Sequence, residues 1–339
     1  MARYPPDRRA DTPPCTGVLL INVGTPEAPT SAAVRRYLAQ FLADPRVVEL
    51  PRLLWWPLLH GFVLPSRAPR SAALYKAIWS ESGSPLLILS QRLAEKLQRT
   101  LERKAMDRVK VALAMRYGNP SIGAGLDALR AANMERLLVF PLYPQYAAPT
   151  TGSAFDAVTD CLKTWRRLPE IRLINGYHDH PAYARALVNC VRSQWAKDGQ
   201  PERLLFSFHG IPQKYALAGD PYRWQCEETA KLVASQLKLP DGSFRISYQS
   251  RFGPREWLKP YTDQTLREWV REGIKSAAVV CPGFAVDCLE TLEEVDIRYR
   301  KIFLDAGGEK FSYINALNDS DDHVDALVEV VMKRRGRTA

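Results

Sequence analysis

Short apolar runs alternate with helical patterns along almost the whole of this chain, and each run stops at a glycine, a proline or a polar turn. The first run, Gly17 to Gly24, is closed by Thr25-Pro26 and followed by a helical pattern over Ser31–Leu42. Further runs lie at Val109–Gly118, Arg136–Tyr146 and Ile171–Tyr177, with a helical stretch over Leu86–Lys104. A second series opens with Leu204–His209 and continues through Phe244–Tyr248, Ala277–Cys281 and Lys310–Ile314. Helical patterns over Ala182–Trp195 and near 222–237, 263–272, 288–303 and 321–334 accompany it. Apolar runs of this length between turn residues read as buried strands. Their alternation with helices predicts parallel sheets built from right-handed βαβ units.

The two series also resemble each other. Asn22-Val23-Gly24-Thr25-Pro26 and Phe208-His209-Gly210-Ile211-Pro212 both close a first strand with Gly-x-Pro. Met115-Arg116-Tyr117-Gly118-Asn119-Pro120 answers Ser250-Arg251-Phe252-Gly253-Pro254 at a second. The fold class expected is α/β: a duplicated domain, each copy a parallel sheet flanked by helices, with an active-site cleft between the copies. The division expected is a flexible N-terminus over 1–16, one domain over 17–180 and another over 181–335, with the junction near 178–202. A length of 339 residues suits two domains. The first strand turn has a single glycine and no P-loop follows, which disfavours nucleotide binding.

A net charge of +10 favours anionic partners. The basic residues are scattered, however, apart from the Lys333–Arg337 tail, which reads as a solvated helix end. No aromatic-and-basic nucleic-acid module appears, so no nucleic acid partner is expected. The six cysteines form no metal-ligand spacing, and they read as small buried hydrophobes of a reducing compartment. The polar start of the chain lacks the apolar core of a signal peptide, so a cytoplasmic location is expected. Leu53–Ser66, with two tryptophans, is shorter than the roughly 20 residues that a spanning helix needs. Leu53–Pro65 is open to two readings, a core-packing loop or an exposed apolar lip that touches a membrane or a greasy substrate.

Chemistry is expected at the carboxyl ends of the strands, where open parallel sheets bind ligands. His209 stands at such an end; taken alone, it could simply be a satisfied structural histidine. A second polar cluster follows the strand that ends at Cys281. Asp287 fits a helix N-cap with Glu290 as its capping-box partner, while Glu290 and Glu294, at i and i+4, would share one helix face. Carboxylates there, on the sheet that carries His209, make a plausible metal and proton site.

Several stretches carry a resemblance: Ser-Phe-His209-Gly-Ile-Pro; Gln-Ser250-Arg-Phe-Gly-Pro with Trp257 and Pro260-Tyr-Thr; and Pro282-Gly-Phe-Ala-Val-Asp-Cys-Leu-Glu290-Thr-Leu-Glu-Glu. Tyr143-Pro-Gln-Tyr with Thr150-Thr-Gly-Ser153, and the opening Leu-Ile-Asn-Val-Gly-Thr-Pro-Glu, belong to the same set. Together, from about Gly17 to Asn318, they resemble the ferrochelatases. Leu53–Pro65 and the turn Glu81-Ser-Gly-Ser-Pro85 are similar to the proteobacterial branch, which acts on protoporphyrin IX.

The resemblance implies two Rossmann-like domains of the chelatase type and a lyase that inserts Fe²⁺ into protoporphyrin IX to form protohaem, the last step of haem biosynthesis. It puts His209 and Glu290 in the catalytic and metal-binding roles, His209 as ligand or as acceptor of pyrrole protons. It places Tyr143, Ser250 and Trp257 against the porphyrin, with Arg116 and Tyr117 at the inner edge of the pocket; core packing is the other reading of Trp257. Fe²⁺ is then a substrate and no resident cofactor is expected. Relatives with a [2Fe–2S] cluster carry a cysteine where this chain has Ala148, and here no cysteine follows Cys288. Arg298 is spaced to pair with Glu294, which weakens any long acidic iron path along that helix. Alternatives are metallation of coproporphyrin III, a porphyrin or haem carrier without turnover, and sirohydrochlorin metallation. A further expectation is peripheral contact with the inner membrane through Leu53–Pro65.

Overall fold

The computed structural model describes residues 13–104, 108–253 and 255–334. Most of the N-terminal stretch, Pro254 of the second-strand motif and the end of the basic tail therefore lie outside the described residues. The chain divides into two compact units. One takes the residues up to Tyr143, Ala147–Gly176 and the end from Leu327; the other takes Pro144–Tyr146 and Tyr177–Ala326.

Each unit is built on a four-stranded parallel sheet. In the first, β1 (Cys15–Gly24) lies between β2 (Val109–Tyr117) and β3 (Met134–Pro141), with β4 (Glu170–Leu173) at the edge. In the second, β5 (Arg203–His209) lies between β6 (Phe244–Gln249) and β7 (Ser276–Val280), with β8 (Lys310–Ile314) at the edge. Both sheets run second, first, third, fourth, so the likeness between the two halves extends to topology. All pairs are parallel. Strands buried on both faces must be apolar throughout, and Val18–Ile21 and Leu204–Phe206 are at most 1% exposed.

Helices close the faces. In the first unit α1 (Ser31–Leu42) starts at Thr30, whose hydroxyl accepts the Ala33 N–H, and α4 spans Pro85–Arg103. The helices α5 (Ile122–Ala131) and α6 (Ser153–Leu162) lay Ile122, Leu126, Leu129 and Val158 on Leu19, Ile21 and Val139. In the second unit α7 (Pro181–Asp198), α8 (Gln213–Leu217), α9 (Tyr222–Leu237) and α10 (Thr262–Arg271) surround the sheet. Leu266 and Trp269 of α10 pack with Leu205, Val279, Phe303 and Phe311. The last helices are α11 (Arg300–Asp305) and α12 (Asp321–Arg334).

Two strands end earlier than their apolar runs suggest. β3 stops at Pro141 rather than near Tyr146, where the chain turns through Pro144. β4 stops at Leu173 rather than Tyr177, although Ile174 still donates to the Val139 carbonyl. It is an edge strand with one neighbour, so nothing on its free side extends the ladder.

The Leu53–Pro65 segment is not a loop. It forms α2 (Arg52–Leu58), a π-helical turn over Leu59–Val63, and α3 (Leu64–Ile78). Prolines at 57, 65 and 69 would each break a regular ladder. The wide turn, closed by Leu64 N–H donating to the Leu59 carbonyl, accommodates the approach to Pro65. Only one side of α2 is anchored: Trp55 is buried and its indole N–H donates to the Leu42 carbonyl at 2.7 Å. Leu53 and Phe62 are 90% and 73% exposed, with Leu54, Trp56 and Leu58 exposed beside them.

Candidate active site

At the end of β5, His209 pairs in register with Gln249 of β6. The Nδ1 of His209 lies 2.6 Å from the carbonyl oxygen of Gly210. A carbonyl can only accept, so Nδ1 is the donor here, and in the neutral ring it is Nε2 that carries the lone pair. Gly210 donates its N–H to the Gln249 carbonyl at 2.7 Å. A Cβ there would stand 3.0 Å from that oxygen and 3.1 Å from the Trp257 ring, so a side chain would push the indole away. Trp257 and Phe284 each have ring centroids 6.4 Å from the imidazole of His209. The half-buried histidine thus has an aromatic ring from each of two neighbouring loops beside it.

Glu290 opens a π-helical segment, Glu290–Tyr299, that runs directly into α11. It is tied to the His209 strand through Gln249, whose side-chain N–H donates to the Glu290 carbonyl at 2.7 Å and whose oxygen accepts from Ser207. The Glu290 carboxyl lies against the Cys288 thiol; burial first, and then this carboxyl, push that thiol far above its usual range. Glu294 takes a hydrogen bond from Ser250 Oγ at 2.6 Å and another from Tyr299 at 2.7 Å.

Of two expectations about this segment, one holds and one fails. Arg298 pairs with Glu294 at 4.0 Å, as its spacing predicts, and also hydrogen-bonds Glu293. Asp287 is no N-cap: its carboxylate accepts from Thr291, Tyr313, Asn318 and the Ala316 N–H instead. An i→i+5 ladder has more residues per turn than an α-helix, so side chains five apart, such as Glu293 with Arg298 and Glu294 with Tyr299, come together. Asn318 in turn accepts the Asp287 N–H, and its carbonyl accepts from Nδ1 of the buried His323 at 2.6 Å. The loop before Glu290 is therefore anchored by Tyr313 of β8 and by Asn318 in the turn that leads to α12.

The first unit gathers the other expected residues at the end of β2. The Arg116 guanidinium stacks over the Tyr117 ring at 4.6 Å and donates to Asp44 and Ser153. Tyr117 and Ser153 hydroxyls also donate to the same Asp44 oxygen, at 2.8 and 2.6 Å. Burial works against ionisation of Asp44, but these hydroxyls, the Arg46 N–H and the Arg116 charge hold its carboxyl below the usual range. Burial, with Asp44 next, pushes the Tyr117 phenol up, and burial does the same to Tyr143. Both phenols stay neutral donors. Thr25, Glu27, Arg36, Gln40, Arg116 and Asn119 are among the residues lining a cavity of about 470 Å³ in this unit.

His209, Glu290, Ser250 and Trp257 are thus joined through short contacts within the second unit, and Arg116, Tyr117 and Tyr143 cluster in the first. Asp44, Gln249 and Phe284 carry no individual signal in the sequence, since each acts through a partner distant along the chain. Among the described residues no group of three or more His, Cys, Asp and Glu side chains is arranged to hold a metal ion.

The ferrochelatase family model matches residues 15–335. The chain belongs to the ferrochelatase family. It is 55% identical over 325 residues to the ferrochelatase of Nitrosococcus oceani, covering 96% of this chain and 88% of that one. It is 54% identical over 313 residues to that of Methylococcus capsulatus, covering 92% and 94%. Its activity is that of the family: a lyase of haem biosynthesis whose substrates are a porphyrin and iron. The fold is shared more widely. SirB from Bacillus subtilis, solved with Fe³⁺, superposes with a TM-score of 0.56 at 12% identity, covering 94% of this chain and 95% of that one. CbiX, the terminal enzyme of sirohaem biosynthesis in denitrifying bacteria, does so at 0.51 and 14%, covering 94% and 98%. At such identities the likeness is one of fold alone.

Proposed function

We propose that this ferrochelatase inserts Fe²⁺ into protoporphyrin IX, with Nε2 of His209 accepting a pyrrole proton. Insertion forms four Fe–N bonds and releases two N–H protons, so a base must face the ring. The observation that carries the reading is the His209 Nδ1–Gly210 carbonyl hydrogen bond, which commits Nδ1 as the donor and leaves Nε2 as the ring nitrogen that can receive a proton. The Trp257 and Phe284 rings beside it suit a flat apolar macrocycle. In this reading Glu290 is the carboxylate that meets the iron or takes the second proton. Ser250, Tyr143, Arg116 and Tyr117 line the porphyrin pocket. The Tyr143 hydroxyl and the Arg116 guanidinium suit the propionates, while the Ser250 and Tyr117 hydroxyls are held by Glu294 and Asp44.

Protoporphyrin, with two propionates, is favoured over coproporphyrin, with four, by the exposed apolar side of α2. Leu53, Leu54 and Trp56 there, with Phe62 of the π-helical turn that follows, suit contact with a membrane surface from which an apolar porphyrin is drawn. Among the described residues no helix is long and apolar enough to cross a membrane. No resident cluster enters the proposal, since Ala148 stands where cluster-bearing relatives have a cysteine and no cysteine follows Cys288. The test is anaerobic Fe²⁺ insertion offered protoporphyrin IX and coproporphyrin III in parallel. Turnover of the first and at least tenfold lower kcat/KM for the second is expected; the reverse preference would overturn the substrate assignment.

A further inference from the structure

We infer that Glu294 is a positioning residue: its carboxylate holds Ser250 in the left-handed backbone region and so sets the turn that leads from β6 towards Trp257. Ser250 has φ +109°, a region that residues with a side chain seldom occupy and that costs free energy unless the surroundings enforce it. Two clamps enforce it here. Gln249, the residue before, is fixed by its side-chain bonds to Ser207 and to the Glu290 carbonyl. Ser250 itself is fixed by the 2.6 Å bond from its Oγ to Glu294 Oε2.

The other oxygen of Glu294 is also committed, accepting from Tyr299 at 2.7 Å, and the side chain is buried. Burial, and then Glu294, push the Tyr299 phenol up, so it remains a donor. Both oxygens of Glu294 are therefore occupied in supporting neighbours. Downstream of Ser250, the Trp257 indole N–H donates to the Phe252 carbonyl at 2.9 Å, and Arg251 is paired with Asp263. The backbone of Trp257 is bridged to Pro212, and the placement of the indole beside His209 depends both on that bridge and on how the chain leaves β6. This role rests on the reading of His209 and Trp257 as porphyrin-facing.

The test is a set of variants assayed for KM of porphyrin, KM of metal and kcat, with metal-free porphyrin binding measured by titration. Glu294→Ala is expected to raise the porphyrin KM and Kd about tenfold while the metal KM moves less than twofold. Glu294→Gln can still accept from Tyr299 and donate to Ser250 Oγ, so it should stay within about threefold of the parent. Glycine adopts positive φ without strain. In a Ser250→Gly background, removing the Glu294 carboxylate should therefore cost less than threefold more, whereas Ser250→Ala should behave like Glu294→Ala. A Gln variant as damaged as the Ala variant, or a metal KM that moves in place of the porphyrin KM, would overturn the proposal. So would equal effects of Glu294→Ala in the Ser and Gly backgrounds. Urea unfolding of the same proteins reads the clamp without substrate; coupling there but not in porphyrin binding would also overturn it. Should His209→Ala keep full activity while both couplings hold, the site reading fails and the positioning role stands.

Discussion

The Nδ1–H of His209 is committed to the Gly210 carbonyl, so any proton this ring receives arrives at Nε2. The same logic, one group fixed so that another is free, governs the Arg116 cluster. Asp44 takes hydrogen bonds from Tyr117 and Ser153 and pairs with Arg116, which orients the guanidinium and both hydroxyls. Breaking a buried pair leaves an uncompensated charge and unsatisfied donors. Asp44→Ala is expected to lower stability by about 3 kcal/mol, on the scale of such losses, read as a fall in the urea midpoint. The carboxyl is held below its ordinary range, so its contribution is present at neutral pH and lost as strong acid protonates it. Asp44→Asn should therefore flatten stability against pH at the acid end.

At the scale of the element, the strands were legible because a buried parallel strand tolerates only apolar side chains, as Val18–Ile21 illustrate. His209 was legible as the polar residue that ends such a run. The π-helical geometry of Glu290–Tyr299 was not, because a 3.6-residue period and a wider turn draw on the same residue types. Its consequence, Arg298 bonded to Glu293 as well as paired with Glu294, therefore went unread. Nor could local spacing reveal Asn318 and His323 behind that loop. Burial lowers the His323 pKa from 6.5 to about 4. The folded state thus resists a proton that the unfolded state accepts: this stability is complete above about pH 6.5 and is lost as pH falls through about 4. At about 1.4 kcal/mol per unit the effect is roughly 3 kcal/mol. His323→Gln, which can still donate to the Asn318 carbonyl, should flatten urea-unfolding free energy across that window; an unchanged slope would exclude His323 as its source.

For the whole molecule, repetition of one strand order in both halves explains why matched Gly-x-Pro strand ends predicted a duplicated domain. In the first copy Gly24 takes φ +106°, where a Cβ would collide with the Tyr117 carbonyl, so that strand end admits only glycine. The apolar side of α2 was legible in composition but not in form, since three prolines argue against a helix. Leu53 and Phe62 give a prediction at this scale. The protein should float with anionic vesicles at low salt, and Leu53→Glu with Phe62→Glu should reduce the floated fraction at least fivefold. Insertion of iron into a detergent-solubilised porphyrin should be kept by that variant. No flotation of the parent protein would exclude the membrane role of α2.

The central claim is that Nε2 of His209 is the base, and the most direct measurement is anaerobic single-turnover Fe²⁺ insertion by the parent protein and His209→Ala, followed by absorbance. Porphyrin binding is titrated for both. A loss of at least a hundredfold in rate with porphyrin affinity within threefold is the predicted result, in line with what a positioned base contributes. A His209→Ala enzyme that metallates at the parent rate would contradict it.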